Sequence, residues 1–175
     1  MDALDELLDG APPRVAVVGN AGAGKSTLAR ALAARLRAEV LDLDGVYWEP
    51  RRIAERREVV RAHADVAAFC DARERWVVEG CYGELIEPLV ARGPLLVWLD
   101  PGTEACLRHC RARPWEPAKF ASKAEQDAHL GALLAWVAEY DARAGELSRG
   151  AHGALFEAWT GPKRRLEREP EGVVA

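Results

Sequence analysis

These 175 residues contain no CxxC pair, no internal repeat, no low-complexity tract and no apolar run near the ~20 residues needed to span a bilayer. The four cysteines, Cys70, Cys81, Cys106 and Cys110, lack zinc-ligand spacing. Cys106 and Cys110 merely share a helix face, so reduced thiols are expected. His63, His109, His129 and His152 show no metal spacing either and read as ordinary packing or surface residues. Basic residues are not in excess. Lys and Arg number 24 against 28 Asp and Glu, a net charge of -4. Non-specific nucleic-acid binding therefore lacks its electrostatic footprint, although a local basic patch stays open. Residues 1–10 are acidic with scattered leucines and have neither the basic region nor the apolar stretch of a signal peptide. A cytoplasmic protein without membrane contact, monomeric or homodimeric, is expected, with small molecules as partners. At 49% apolar residues, the chain (1–175) suits one domain with a sizeable core.

The richest local signal is Gly19-Asn20-Ala21-Gly22-Ala23-Gly24-Lys25-Ser26-Thr27, a complete G-x-x-x-x-G-K-[ST] loop. Glycines at 19, 22 and 24 let successive N–H groups turn inward toward polyphosphate oxygens. In such a cradle Lys25 reaches the β- and γ-phosphates and the Ser26 hydroxyl ligates magnesium. A β-branched run, residues 14–18, precedes the loop; Leu28, Leu32 and Leu36 follow at helical spacing. The loop thus lies between strand and helix, where the helix N-terminus favours an anion. The competing interpretation is a Gly-rich strand-to-helix turn that binds nothing.

Strand candidates at 15–18, 40–43, 76–79 and 95–99 alternate with helical patterns, which predicts βαβ units and a parallel sheet covered on both faces. A fifth candidate, 163–167, is so charged that only an edge position suits it. The helix beginning near Thr103 must break at Arg113-Pro114-Trp115-Glu116-Pro117. A long amphipathic helix resumes over about 123–143, a layout that fits a lid at about 111–125 or an ordinary helix–loop–helix connection.

Asp42 and Asp44, at the end of the second strand candidate, alternate onto one side at the carboxyl edge, where open α/β sheets bind ligands. Two carboxylates there suit magnesium-water binding at Asp42 and hydroxyl activation at Asp44; solvated turn aspartates before Gly45 are the alternative. Glu79, closing the third candidate, takes the Walker B position if that strand neighbours the first, or is a plain strand-end carboxylate. Asp100, followed by Pro101 and Thr103, reads as a helix cap. Arg108, Arg111 and Arg113 approach the Pro-Trp break, where guanidiniums can clamp the transferring phosphate and close over the nucleotide. Arg51, Arg52, Arg56, Arg57 and Arg61 lie between the second and third strand candidates, interleaved with Glu55 and Glu58, and most read as solvated. Six tryptophans default to core packing, with Trp48 and Trp115 set apart by their polar, Pro-containing surroundings.

Taken in order, GNAGAGKST, LDLDGVYWEP, WVVEGCYG, LLVWLDPGTEACLRHCRARPWEPAKFASKAEQ and GPKRRL resemble the small bacterial P-loop kinase-like proteins, whether adenylate kinase-like, shikimate kinase-like or of the DNA topology modulation type. The resemblance covers most of 14–166. It implies a three-layer α/β P-loop NTPase fold with about five parallel strands in order 2-3-1-4-5, a helical lid and an acceptor-binding arm at about 45–75. It implies ATP or GTP with Mg2+, held by residues 19–27 and Arg111. Lys25, Asp44 and Arg113 are then the catalytic residues, and Ser26, Asp42 and Glu79 surround the metal. A hydroxyl-directed small-molecule kinase follows, with a nucleotide-dependent regulatory NTPase as the alternative. Two departures stand out. Glu79-Gly80-Cys81-Tyr82-Gly83 replaces the Asp-Gly-aromatic-Pro-Arg of adenylate kinases, and Cys81 and Tyr82 interrupt the glycine run of shikimate kinases.

Overall fold

The computed structural model describes residues 2–49, 55–117 and 119–170. Five parallel strands form one sheet in the order β2-β3-β1-β4-β5. They are β1 (Arg14–Val18), β2 (Glu39–Asp42), β3 (Trp76–Gly80), β4 (Leu95–Leu99) and β5 (Lys163–Leu166). Every residue of β3 and β4 is buried, as continuous apolar runs require when helices cover both faces. The charged strands β2 and β5 take the two edges, where polar side chains can reach water.

Side chains alternate across the central strands and thereby split the core in two. Val15, Val17, Val77, Leu95, Val97 and Leu99 pack with α1 (Ala3–Leu8), α2 (Lys25–Leu36), α6 (Thr103–Ala112) and α7 (Lys123–Ala138). Ala16, Val18, Trp76, Val78, Leu96 and Trp98 pack with α3 (Asp44–Tyr47), α4 (Val59–Asp71), α5 (Gly83–Ile86) and α8 (Arg149–Ala158). Leu28 and Leu32 of α2 are fully buried. Burial of each contributes about 2 kcal/mol, so α2 is pinned behind the loop that precedes it.

Four sequence expectations need correction. The second strand lies one residue earlier than expected and ends at Asp42, because the chain turns into α3 at Asp44. Asp44 is therefore a helix residue, and strand alternation does not account for its direction. The second long helix begins at Lys123 as expected, with the Ser122 hydroxyl accepting from Glu125 N at 3.1 Å, but ends at Ala138 rather than near 143. Asp100 caps nothing: the N-cap of α6 is Gly102, and the Asp100 carboxylate is buried against Arg149 at 2.8 Å and Arg165 at 2.7 Å.

Candidate active site

The 19–24 loop leaves the carboxyl end of β1 and enters α2 through Gly24, whose φ of 95° is closed to most L side chains. Gly22 is required for a second reason besides its positive φ. A Cβ there would sit 2.4 Å from the Cys106 carbonyl oxygen and 2.7 Å from the Cys110 sulfur. The shared helix face of those two cysteines is thus the wall behind the loop. His109, on the same helix, donates from Nδ1 to the Gly22 carbonyl at 2.7 Å. Asn20 is buried; its side-chain oxygen accepts from Ala21 N, and its amide donates to the Val137 carbonyl of α7 at 3.2 Å.

Lys25 is the first residue of α2 and is buried. Its Nζ donates to the Asn20 carbonyl at 2.9 Å and to Cys81 Sγ at 3.4 Å. Burial opposes the charge, but Cys81, Glu79 and Asp44 around it outweigh that and raise its pKa. The Cys81 thiol is itself pushed up by burial, which leaves Asp44, held below the ordinary carboxylate range, as the anion that best supports the Lys25 charge. Ser26 Oγ donates to Glu79 Oε1 at 2.5 Å, which joins the loop to the end of β3. Asp42 pairs with Glu79 in register across β2 and β3. Burial first, then the neighbouring Asp44 charge, raises the Asp42 pKa; burial and Asp42 likewise raise that of Glu79 against the pull of Lys25.

Among the described residues no three His, Cys, Asp or Glu side chains converge on a protein-only metal site. The hydroxyl of Ser26 and the carboxylates of Glu79 and Asp42 are nevertheless hard oxygen donors, crowded enough to disfavour their own charge. A magnesium ion that keeps several waters and phosphate ligands fits such a set.

Asp44 opens on the other side. Its backbone N–H donates to Asp42 Oδ1 at 2.9 Å. Its carboxylate is fully engaged: Oδ1 accepts from the Tyr82 hydroxyl at 2.6 Å and Oδ2 from Lys119 Nζ at 3.0 Å. Trp48 Nε1 donates to the Tyr82 oxygen at 2.8 Å, and the Tyr47 ring stacks on that of Tyr82 at 3.8 Å. Burial pushes the Asp44 pKa up, but Lys119, the Tyr82 hydrogen bond and Lys25 together hold it below the ordinary carboxylate range.

The arginine expectations fare differently. Arg113, at the C-cap of α6, pairs with Glu116 at 3.3 Å, and Arg111 makes no hydrogen bond or ion pair to the loop among the described residues. Lys119 instead is the cation from the 113–122 segment that reaches a site carboxylate. Arg56 pairs with Glu84 at 2.6 Å, Arg57 with Asp65 at 2.8 Å and Arg61 with Glu58 at 3.1 Å, so these three are neutralised; Arg51 and Arg52 lie outside the described residues. Trp48 meets the site through Tyr82, whereas the exposed Trp115 donates to the Phe120 carbonyl at 3.1 Å. Sequence reasoning missed Tyr82, Lys119 and His109. The first sits inside WVVEGCYG and was visible only as an interruption of a glycine run.

No helix among the described residues is long and apolar enough to cross a membrane. No protein-family model matches the chain. It is 30% identical over 153 residues to the uncharacterized protein YqaC of Bacillus subtilis, an alignment covering 82% of this chain and 79% of that protein. Among solved structures, a protein of Chloroflexus aurantiacus aligns with a TM-score of 0.55 at 18% identity, covering 94% of this chain and 92% of the other. Shikimate kinase of Aquifex aeolicus aligns with a TM-score of 0.51 at 17% identity, covering 91% and 90%. The fold, that of the P-loop kinase-like structures, is theirs, and the chain belongs to the family of YqaC.

Proposed function

We propose that the protein is a small-molecule kinase that transfers the γ-phosphoryl group of ATP or GTP to an acceptor hydroxyl. The observation that carries this reading is the meeting of two sets of groups at the carboxyl edge of one sheet. Lys25 and the Ser26–Glu79 pair stand on the loop side, and the Asp44 carboxylate faces them from α3. In this reading residues 19–27 hold the triphosphate and Lys25 Nζ exchanges the Asn20 carbonyl for phosphate oxygens. Ser26, Asp42 and Glu79 hold Mg2+, which when bound neutralises charge on the phosphates. Residues 45–75 form the acceptor arm and residues 111–125 the lid of a single catalytic domain.

Asp44 accepts the hydroxyl proton at Oδ2 as the acceptor oxygen bonds to phosphorus and the bond to the nucleoside diphosphate oxygen breaks. That step requires Lys119 to leave Oδ2, while Tyr82 keeps Oδ1 oriented. Lys119 then lies beside the transferred phosphoryl group, in the role the sequence assigned to Arg113. The structural neighbour from Aquifex aeolicus is a shikimate kinase, which supports the reaction class without naming this acceptor. The test is a library of hydroxylated sugars, cyclitols, nucleosides and antibiotics incubated with enzyme and MgATP or MgGTP and read by mass. Gain of one phosphoryl group by a compound supports the kinase. Turnover stimulated only by DNA or by a protein contradicts it and favours a regulatory NTPase.

A further inference from the structure

The four residues that follow Glu79 link both sides of the site. Cys81 Sγ meets Lys25 Nζ at 3.4 Å, and one residue later the Tyr82 hydroxyl meets Asp44 at 2.6 Å. The ladder between β1 and β3 ends at Gly80, so the Cys81 carbonyl has no strand partner. It is satisfied from a distant part of the chain: His152 of α8, fully buried, donates from Nε2 at 2.7 Å.

The direction of that bond fixes the rest. A carbonyl can only accept, so the His152 proton is on Nε2, and Nδ1 must accept from the Tyr140 hydroxyl at 2.8 Å. The Tyr140 oxygen in turn accepts from Trp98 Nε1 at 3.4 Å. Three donors are each used once, Trp98 to Tyr140, Tyr140 to His152 and His152 to the Cys81 carbonyl. Such a chain is satisfied with a neutral imidazole and is broken by a second ring proton. Burial, reinforced by the Lys25 and Arg143 charges against the pull of the Cys81 carbonyl, lowers the His152 pKa to about 4 and keeps the ring neutral.

We infer that His152 is a positioning residue for phosphoryl transfer: from α8 it holds the Cys81 peptide, and with it the Cys81 contact to Lys25 and the Tyr82 contact to Asp44. The inference rests on the kinase reading for its consequence in turnover, but its geometric content can be tested apart from activity. His152→Ala removes the donor; His152→Gln restores an amide N–H near the Nε2 position. Alkylation of the folded full-length protein, followed by peptide mass, reports Cys81 exposure. Cys70, buried in α4, is the internal control.

The expected result is that His152→Ala labels Cys81 at least tenfold faster than wild type, with Cys70 unchanged, and that His152→Gln recovers most of the protection. Tyr140→Phe, which leaves the carbonyl bond in place, labels Cys81 less than threefold faster. In nucleotide turnover the same Ala variant loses about tenfold in kcat with KM for nucleotide within about threefold, and Gln restores kcat. Equal acceleration at Cys81 and Cys70, or equal labelling in the Ala and Gln variants, reduces His152 to core packing and overturns the inference. Should wild type fail to bind nucleotide at all, the kinase reading falls while the labelling pattern still decides this one.

Discussion

The loop side and the Asp44 side of the cleft are built by different means. On the loop side the parts are close in sequence and already paired: Lys25 returns to Asn20 five residues back, and Ser26 needs only the adjacent strand end at Glu79. On the Asp44 side, Tyr82 arrives from 38 residues away and Lys119 from 75, and both oxygens of the carboxylate are occupied. Each side exchanges one partner to work, but the loop's exchange, at Lys25, stays within six consecutive residues, whereas that at Asp44 displaces Lys119 from another part of the chain. The difference teaches that nucleotide affinity and transfer should respond to different residues.

The sharpest break is Lys25→Ala. Removing the loop's only buried cation should cost on the order of 10³-fold in nucleotide turnover, about 4 kcal/mol of transition-state stabilisation, together with a measurable loss of nucleotide affinity by calorimetry. Tyr82→Phe is smaller and should fall on the other side only. Loss of one hydrogen bond to a charged group, about 1.5 kcal/mol, lowers kcat roughly tenfold while the nucleotide Kd stays within about twofold. A Tyr82→Phe protein with weakened nucleotide binding would mean the two sides are not separable.

Glu79→Gln gives the smallest effect and a pH signature. Because the folded protein raises the Glu79 pKa, folding favours the protonated carboxyl, and its contribution is present below the unfolded value and lost as pH rises through the folded one. Gln removes that loss. Without nucleotide or metal, the variant should therefore gain in stability relative to wild type as pH rises above the unfolded glutamate value, in thermal melts at several pH values. It should bind Mg-nucleotide more weakly. A stability difference that shrank with rising pH would contradict the burial of a charged Glu79.

What the sequence made legible follows the same division. The shape of the 19–24 turn was legible because glycine spacing is local, and the place of Glu79 at a strand end because an apolar run ended in a carboxylate. The edge position of β5 was readable from its charge. Asp100 was misread because Asp-Pro-Gly-Thr has the composition of a cap, while Arg149 and Arg165 claim the carboxylate through tertiary contacts that no local pattern records. Asp44 was assigned by strand alternation that stops two residues before it, although the turn through Asp42 Oδ1 still brings it to the site. Lys119 was overlooked beside three arginines, since charge type alone does not say which cation of a long loop reaches inward. His152 was unreadable for the same reason: its partners are Cys81 and Tyr140, on separate elements.

The most direct measurement pairs nucleotide affinity with transfer in Asp44→Asn, using any acceptor that the mass screen returns. Asparagine preserves the shape and the Tyr82 bond but accepts no proton. The account predicts a nucleotide Kd within about twofold of wild type and turnover lower by at least 100-fold, close to 3 kcal/mol. Unchanged turnover, or a nucleotide Kd that collapses with it, would contradict a cleft divided into a ready cradle and a separately held base.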